Sequence, residues 1–260
     1  MKRKVTLIES DLHKMVKESV RQVLNEFMQE GFSFEKMNSL KKEKRVAYCM
    51  QYLGEPIGEG SSRIAFEIDD AQVLKISYGR FYKAGCAQNK AEYEISKNIK
   101  TPILVKTLYK AKDYSWIISE RVIPCEELDF YKVMGLPYTG YRTEKYDEDV
   151  YNSNNKDLLG YNEYSTDKIN GNDKSLSFVQ VKQVMKRIIN GLCSPEQFPS
   201  ESKIIDNHPW FKELYILATK YNLDLDDVGI GNLGITLRNG KPTIVLLDSG
   251  LTKEVWDKFY

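Results

Sequence analysis

The sequence predicts an α+β fold in which a β-rich region is followed by a mostly helical one. Strand-forming stretches separated by turns fill residues 51–122, and the spacing of amphipathic helices dominates residues 123–260. The first 50 residues read as a helical extension. Runs of strands followed by runs of helices are typical of α+β proteins. The change of pattern near residue 122 therefore predicts two lobes, the first antiparallel and β-rich.

Composition excludes several classes of protein. The chain has 260 residues, of which 42% are hydrophobic and 29% charged, so we expect a globular protein with a substantial core. A net charge of +1 argues against a dedicated nucleic-acid binder. No stretch approaches the ~20 apolar residues of a membrane span, and the basic start lacks the apolar run of a signal peptide. Four scattered cysteines indicate neither a zinc site nor disulfides, so we expect a cytoplasmic protein.

The extension contains two predicted helices. Residues 10–27 carry an apolar stripe at helical spacing after a Ser10 N-cap, and residues 34–50 form a second helix with an exposed basic face. We expect the first helix to dock on its own domain or on a partner.

A glycine-containing turn joins the first two strands of the β-rich region. Residues 53–68 read as strand, turn and strand, and the turn holds Gly58 and Gly60. Glycines there allow backbone N–H groups to approach phosphate oxygens, although an ordinary hairpin also explains them. Because the turn joins two strands rather than a strand and a helix, it is not a dinucleotide-binding fingerprint. Further strands are predicted at 72–76, 103–105, 107–109 and 116–119.

A lysine lies inside the third apolar strand, where it is costly unless it is paired or functional. This residue is Lys75, and the helix predicted at 84–99 offers Glu92 and Glu94 as partners. We prefer Glu92, because Ile95 three residues later places it beside the apolar face of the helix. A surface ion pair with another lysine is the alternative for either glutamate.

The helical region begins with a short helix at 127–134. Residues 137–176 are rich in Tyr, Asn, Asp and Gly, which indicates either an insertion with a role or a partly disordered one. Its tyrosines would serve as a recognition surface or as phosphate acceptors. Amphipathic helices follow at 177–192, after a capping box, and at 209–221, after a proline at the first helical position.

Three polar residues near the end of the chain can converge on one point. Asp227 is followed five residues later by Asn232, and Asp248 ends a buried strand just before Gly250. Phosphoryl transfer needs one group that orients the attacking hydroxyl and two oxygen ligands that hold Mg²⁺ on the phosphates. A β-hairpin with polar turn residues is the alternative interpretation.

Taken together, these residues resemble the motif order of the protein-kinase-like superfamily, which includes protein kinases and small-molecule phosphotransferases. The resemblance covers about residues 52–251. Segment 7–20 and the turn at 58–63 resemble phage-encoded kinase-like proteins. The matching residues, in order, are Gly58 and Gly60, Lys75, Glu92, Glu120 with Val122, Asp227 with Asn232, and Asp248-Ser249-Gly250.

The resemblance implies that ATP and Mg²⁺ are the cofactors. Lys75 would contact the α- and β-phosphates and pair with Glu92. A loop would cover the phosphates, and it consists of Gly58, Gly60, Ser61, Ser62 and Arg63.

The same resemblance assigns the remaining positions. Glu120 and Val122 would hold adenine through their backbone groups. Asp227 would orient the acceptor hydroxyl, and Asn232 and Asp248 would bind Mg²⁺.

The chain departs from the family pattern at several positions. Arg63 stands where the third glycine of the loop is usual, so the tip closes differently or Arg63 itself touches phosphate. Leu-Asp replaces His-Arg before Asp227, so Asp226 competes for the catalytic assignment. Ser249 replaces the usual Phe. Only ten residues follow Gly250, which predicts a truncated C-lobe without the usual peptide-docking platform.

We therefore expect Mg²⁺/ATP-dependent phosphoryl transfer to a hydroxyl, first of all on a protein Ser, Thr or Tyr. A small molecule is the alternative acceptor. A pseudokinase that serves as a nucleotide-binding interaction module is a rival from another class, although it needs no such full set of residues. Transfer of AMP is a third alternative, which would release pyrophosphate instead of ADP.

Overall fold

The structure is a computed structural model that describes residues 31–136 and 178–260. It is an α+β protein with an antiparallel five-stranded sheet and several helices, which confirms the predicted fold class. Contacts divide it into two units. Unit 1 comprises 31–89 with Leu108–Arg121, and unit 2 comprises Lys90–Thr107 with the described residues from Val122 onward. The helix predicted at 10–27 and the segment 137–176 lie outside the described residues, and the predicted lobe boundaries stay a prediction.

The five-stranded sheet has the order β1-β2-β3-β5-β4, with β3 in its centre. The strands predicted from the sequence at 72–76 and 116–119 are confirmed to within a residue or two. The one predicted at 103–105 is reduced to a single bridge between Leu104 and Leu246. The strands are β1 (Gly58–Glu59), β2 (Arg63–Glu67), β3 (Gln72–Ser77), β4 (Thr107–Lys110) and β5 (Trp116–Glu120).

Two helices cover one face of this sheet, α1 (Phe34–Ser39) and α2 (Lys42–Leu53). The single helix predicted over 34–50 is wrong, because Leu40 adopts an extended conformation and its carbonyl accepts a hydrogen bond from Arg45 Nε (3.2 Å). Side chains of this segment belong to the same core as the sheet. They include Phe32, Met37, Tyr48, Cys49 and Leu53, which pack with Ile64, Phe66, Leu74, Ile76 and Ile118.

The helix α3 (Tyr82–Asn98) follows β3, as the pattern at 84–99 predicted. Its first half approaches the sheet closely. A Cβ atom on Gly85 would lie 2.4 Å from the carbonyl oxygen of Ser62 and 2.9 Å from the Ser77 side chain. No side chain fits in that space, so glycine sets how closely this half of α3 packs on β2 and β3.

Unit 2 combines a three-stranded sheet, in the order β6-β7-β8, with helices around one apolar core. Trp210 ties a helix to the sheet, because its Nε1 donates to the carbonyl of Ile244 (2.9 Å). The strands are β6 (Ile123–Pro124), β7 (Leu233–Arg238) and β8 (Lys241–Leu246). The helices are α4 (Glu127–Met134), α5 (Phe178–Ile189), α6 (Pro199–Asn207), α7 (Pro209–Tyr221) and α8 (Lys253–Phe259).

Local sequence explains several helix ends in unit 2. Pro209 takes the first position of α7, and Asn222 ends it in the left-handed region (φ 53°). Gly135 ends α4 in the same way. Among the described residues, no helix is both long and apolar enough to cross a membrane.

Candidate active site

The candidate residues of unit 2 meet on the loop that connects α7 to β7. Asn232 lies at the end of a 3₁₀ turn, and its Nδ2 donates to both the carbonyl oxygen (2.7 Å) and the carboxylate Oδ1 (3.2 Å) of Asp227. The five-residue spacing therefore brings the two side chains into contact. This contact fixes the loop and orients the Asp227 carboxylate.

Asp226 and Asp227 have different surroundings although they are neighbours in the chain. The Asp226 carboxylate is exposed and forms an ion pair with Lys186, whose Nζ lies 2.6 Å from Oδ1. The Asp227 carboxylate instead faces Asn232. This difference supports Asp227 as the catalytic candidate and gives Asp226 a separate structural contact.

The loop is joined directly to the segment that carries Asp248. The backbone N–H of Leu247 donates to the carbonyl of Asn232 (2.9 Å). Asp248 is the next residue in the chain. Asp248 Oδ1 accepts a hydrogen bond from the N–H of Gly250 (3.1 Å). The buried second half of β8 and the glycine turn thus place this carboxylate beside the loop.

These residues fit a magnesium ion that is held mainly by phosphates and water. Because the two hydrogen bonds of the Asn232 side chain use Nδ2, its amide oxygen is the atom suited to a cation. Asp248 supplies one carboxylate. Mg²⁺ is usually bound through one or two carboxylates together with substrate phosphates, so a larger cluster is not needed. Within the described residues, no group of three or more His, Cys, Asp or Glu side chains could hold a metal.

The candidate lysine of unit 1 lies in the middle of the central strand. Lys75 is opposite Ala65 on β2 and opposite Ile117 on β5. Its neighbours Leu74 and Ile76 are fully buried under α1 and α2. Since side chains alternate along a strand, Lys75 points to the other face of the sheet.

The predicted glycine turn is a tight hairpin anchored by Tyr78, but Gly58 lies in strand β1 and not in the turn itself. The N–H of Gly60 donates to the carbonyl of Arg63 (2.8 Å), which leaves Ser61 and Ser62 at the tip. The Tyr78 hydroxyl lies 2.7 Å from Glu59 Oε1 and 2.8 Å from the carbonyl oxygen of Gly60. The hydrogen bond to Glu59, with burial and the charge of Glu59, raises the pKa of Tyr78 to about 12. Tyr78 therefore remains a neutral hydrogen-bond donor to the turn.

Arg63 is turned into the protein. Its side chain is buried, and Nη1 donates to Oδ1 of Asn89 on α3 (3.1 Å). Asn89 in turn donates to Ser77 Oγ (3.1 Å) and to the carbonyl of Tyr114 (2.9 Å). This buried network connects β2, β3 and α3, and it gives Arg63 a structural role. A contact of Arg63 with phosphate stays a prediction.

The two glutamates considered as partners of Lys75 differ in burial. Glu92 is 1% exposed and shares a side of α3 with Gly85 and Asn89, at spacings of seven and three residues. Glu94 is exposed and lies 3.8 Å from Lys90 in a surface pair. A buried carboxylate needs a cation or several donors, so burial supports the choice of Glu92. Its pairing with Lys75 stays a prediction.

The predicted adenine-binding segment follows β5. Glu120 ends that strand, opposite Gln72. In unit 2, Val122 lies against β7 beside Gly234. Only glycine fits at position 234. A Cβ atom on Gly234 would be 2.5 Å from Val122 Cγ2 and 3.1 Å from the carbonyl oxygen of Ile123. The adenine contacts of Glu120 and Val122 stay a prediction.

Three residues with roles in these loops were not indicated by the sequence. Tyr78 anchors the glycine turn, and Lys182 and Lys186 of α5 contact the loop that carries Asp227. The lysine spacing of four residues on an amphipathic helix was a signal that they share a helix side. The spacing did not show which residues the two lysines contact, because these residues lie 40 or more positions later in the chain.

No protein-family model matches the chain, and no curated protein matches it. A solved structure of the complex between gentamicin and APH(2")-IIa is similar to the chain, with 16% sequence identity and a TM-score of 0.33. The match covers 85% of this chain and 70% of that chain. At this TM-score the similarity does not indicate a function, so the function is inferred from the residues themselves.

Proposed function

We propose that this protein catalyses Mg²⁺/ATP-dependent phosphoryl transfer to a hydroxyl group. The observation that carries the proposal is the hydrogen-bonded unit of Asp227 and Asn232, joined through Leu247 to the segment of Asp248. Asp227 offers a carboxylate that can orient the hydroxyl. Asn232 on the same loop and Asp248 after β8 offer two oxygen ligands for a metal. These are the groups that phosphoryl transfer requires.

Each residue has a defined task in the proposed reaction. The acceptor oxygen forms a bond to the γ-phosphorus of ATP while the bond from that phosphorus to the β–γ bridging oxygen breaks, and ADP leaves. Asp227 orients the acceptor hydroxyl and takes its proton. Asn232 and Asp248 would hold Mg²⁺, which neutralises phosphate charge when bound. Catalysis by such a site consists mainly of positioning and charge stabilisation.

The remaining proposed residues bind the nucleotide. Lys75 contacts the α- and β-phosphates, with Glu92 as its predicted partner. Backbone groups of Glu120 and Val122 hold adenine. The phosphates are covered by the β1–β2 hairpin, which contains Gly58, Gly60, Ser61, Ser62 and Arg63.

A protein hydroxyl is the first acceptor to test, and a small-molecule hydroxyl is the second. The deciding experiment incubates the purified full chain with Mg²⁺ and γ-labelled ATP, beside an Asp248→Ala variant. Products are separated to distinguish ADP from pyrophosphate, mass spectrometry locates added phosphate, and thermal shift with nucleotide is recorded on the same samples.

We expect ADP release and a nucleotide-induced thermal shift in the wild type. Loss of ADP release in Asp248→Ala, with an unchanged melting temperature without nucleotide, supports the proposal. A thermal shift without transfer, even when candidate acceptors are supplied, would indicate a pseudokinase. Pyrophosphate as the product would indicate AMP transfer, and the absence of both shift and transfer would contradict the nucleotide site.

A further inference from the structure

Two lysines of α5 contact the residues on either side of Asp227. Lys182 Nζ donates to the carbonyl oxygen of Val228 (2.8 Å), and Lys186 Nζ binds the carboxylate of Asp226 (2.6 Å). The lysines are four residues apart, so they project from the same side of the helix. The proposed catalytic residue is thus held between two contacts from one helix.

The contact from Lys182 complements the hydrogen bonds within the loop. The N–H of Val228 donates to Leu225 (3.3 Å), the N–H of Gly229 donates to Asp227 (3.0 Å), and the N–H of Asn232 donates to Gly229 (2.9 Å). These bonds use the carbonyls of Leu225, Asp227 and Gly229. Lys182 supplies a donor to the carbonyl of Val228 from outside the loop. A buried polar backbone group requires such a partner, and a charged donor makes the stronger bond.

The two contacts differ in their surroundings. In the Lys186–Asp226 pair, 35% of the lysine side chain and 58% of the aspartate side chain are exposed, and ion pairs open to solvent contribute little alone. Lys182 is half-buried, its Nζ lies 5.8 Å from the centre of the buried Phe178 ring, and its acceptor belongs to a residue that is 2% exposed. Of the two contacts, the one made by Lys182 therefore has the more buried acceptor residue.

We infer that Lys182 is a positioning residue for Asp227, with Lys186 as its weaker support. By holding the carbonyl of Val228, Lys182 fixes the backbone direction from which the Asp227 carboxylate projects. The catalytic part of this inference rests on the proposed phosphoryl transfer. The conformational part, that Lys182 holds the loop, does not.

Four forms of the full chain test the inference. They are the wild type, Lys182→Met, which retains the side-chain stem without the charge, Lys182→Arg, which retains a donor, and Lys212→Met, which removes an exposed lysine of α7 as a control. ADP release from Mg²⁺-ATP, with water as the acceptor, gives kcat and the KM for ATP. Hydrogen exchange of the amides at 224–232 reports on the loop without requiring activity.

We expect Lys182→Met to lower kcat about 10- to 100-fold, the usual effect of a small misplacement of a catalytic group, with the KM for ATP changed less than about twofold. Exchange at 228–232 rises about tenfold, as the loss of a charged hydrogen bond predicts. Lys182→Arg recovers most of kcat, and Lys212→Met behaves as the wild type.

Two results overturn the inference. One is loop exchange in Lys182→Met that equals that of the wild type. The other is a loss of kcat that Lys182→Arg does not recover and that a higher KM for ATP accompanies, because this pattern indicates nucleotide binding. If the wild type neither releases ADP nor shows a nucleotide-induced thermal shift, the proposed function fails. Exchange alone then decides the role of Lys182: faster exchange in Lys182→Met keeps it as the loop-holding residue, and unchanged exchange rejects it.

Discussion

Asp226 and Asp227 are adjacent in the chain, yet the structure gives them different partners. Lys186 forms an ion pair with the carboxylate of Asp226, whereas Asn232 donates a hydrogen bond to that of Asp227. The sequence left both as candidates because it could not show which way each side chain points. Replacing each aspartate by asparagine tests which of the two is catalytic.

Asp227→Asn is expected to lower kcat by about 10²- to 10⁴-fold, since it removes the group that orients the hydroxyl and accepts its proton. Asp226→Asn loses only an exposed ion pair and is expected to lower kcat by about tenfold at most. Steady-state ADP release and melting temperature are measured for both variants. A larger loss in Asp226→Asn would reverse the assignment.

Glu201 carries a carboxylate that is almost completely buried in the first turn of α6. It is 8% exposed, and burial raises its pKa, although its own backbone N–H opposes the shift. A raised pKa in the folded state means that the ionised form costs stability at neutral pH. This cost disappears as the pH falls through the folded pKa.

Glu201→Gln should therefore raise the melting temperature at pH 7, and the gain should shrink as the pH is lowered toward 4. Glu254→Gln is the matched control, because Glu254 is also in a first helical turn but is exposed. Its loss should slightly lower the melting temperature at pH 7, as a favourable charge near a helix N-terminus is removed. Calorimetry over this pH range measures both effects. A stabilisation by Glu201→Gln that does not depend on pH would contradict this explanation.

At the scale of elements, Gly85 controls how α3 meets the sheet. Alanine is normally favoured over glycine inside a helix by about 1 kcal/mol. Here a Cβ atom would lie 2.4 Å from the Ser62 carbonyl oxygen, which belongs to the backbone and cannot rotate away.

We expect Gly85→Ala to destabilise the protein by about 1–3 kcal/mol, the usual cost of overpacking. Chemical denaturation measures the change, and Lys83→Ala at an exposed position of α3 should alter the stability by less than about 0.5 kcal/mol. A Gly85→Ala variant as stable as the wild type would show that α3 can move away from the sheet without cost.

The elements that the sequence predicted share a clear pattern or a strong end signal. α7 has a proline at its start and an apolar stripe, and β3 is a short apolar run between turns. α6 and α8 were missed because the first has few apolar residues and the second has only seven residues in all. The break at Leu40 was missed because no glycine or proline marks it in the sequence, and the Arg45 side chain that bonds the Leu40 carbonyl lies five residues later.

In the candidate site, too, local contacts could be predicted and contacts between distant residues could not. The contact between Asp227 and Asn232 could be predicted because the two residues are only five positions apart in the chain. Tyr78 and Lys182 were not found, since each acts on a residue 18 or more positions away in the chain. A single sequence contains no direct signal for contacts of that kind.

At the scale of the whole molecule, each unit has its own core, and each core contains a buried cysteine. Cys49 is 0% exposed in unit 1, and Cys125 is 7% exposed in unit 2. Burial raises the pKa of Cys49 to about 12 and that of Cys125 to about 11, the latter helped by the charges of Asp129 and Glu126. Cys86 and Cys193 are more accessible.

Iodoacetamide at pH 8 should therefore modify Cys86 and Cys193 first, and Cys49 and Cys125 only when their units unfold. Mass spectrometry at increasing urea concentration gives a separate unfolding curve for each buried thiol. Coincident curves would show that the units unfold together. Rapid modification of Cys49 in native buffer would contradict its place in the core.

The position of Lys75 in the central strand has a consequence for folding fidelity. If β3 paired with β2 one residue out of register, its side chains would exchange faces. Lys75 would enter the apolar layer under α1 and α2, and Leu74 and Ile76 would leave it. The ammonium group proposed to bind phosphate would thus raise the free energy of the misaligned sheet, so Lys75 also favours the correct strand register during folding.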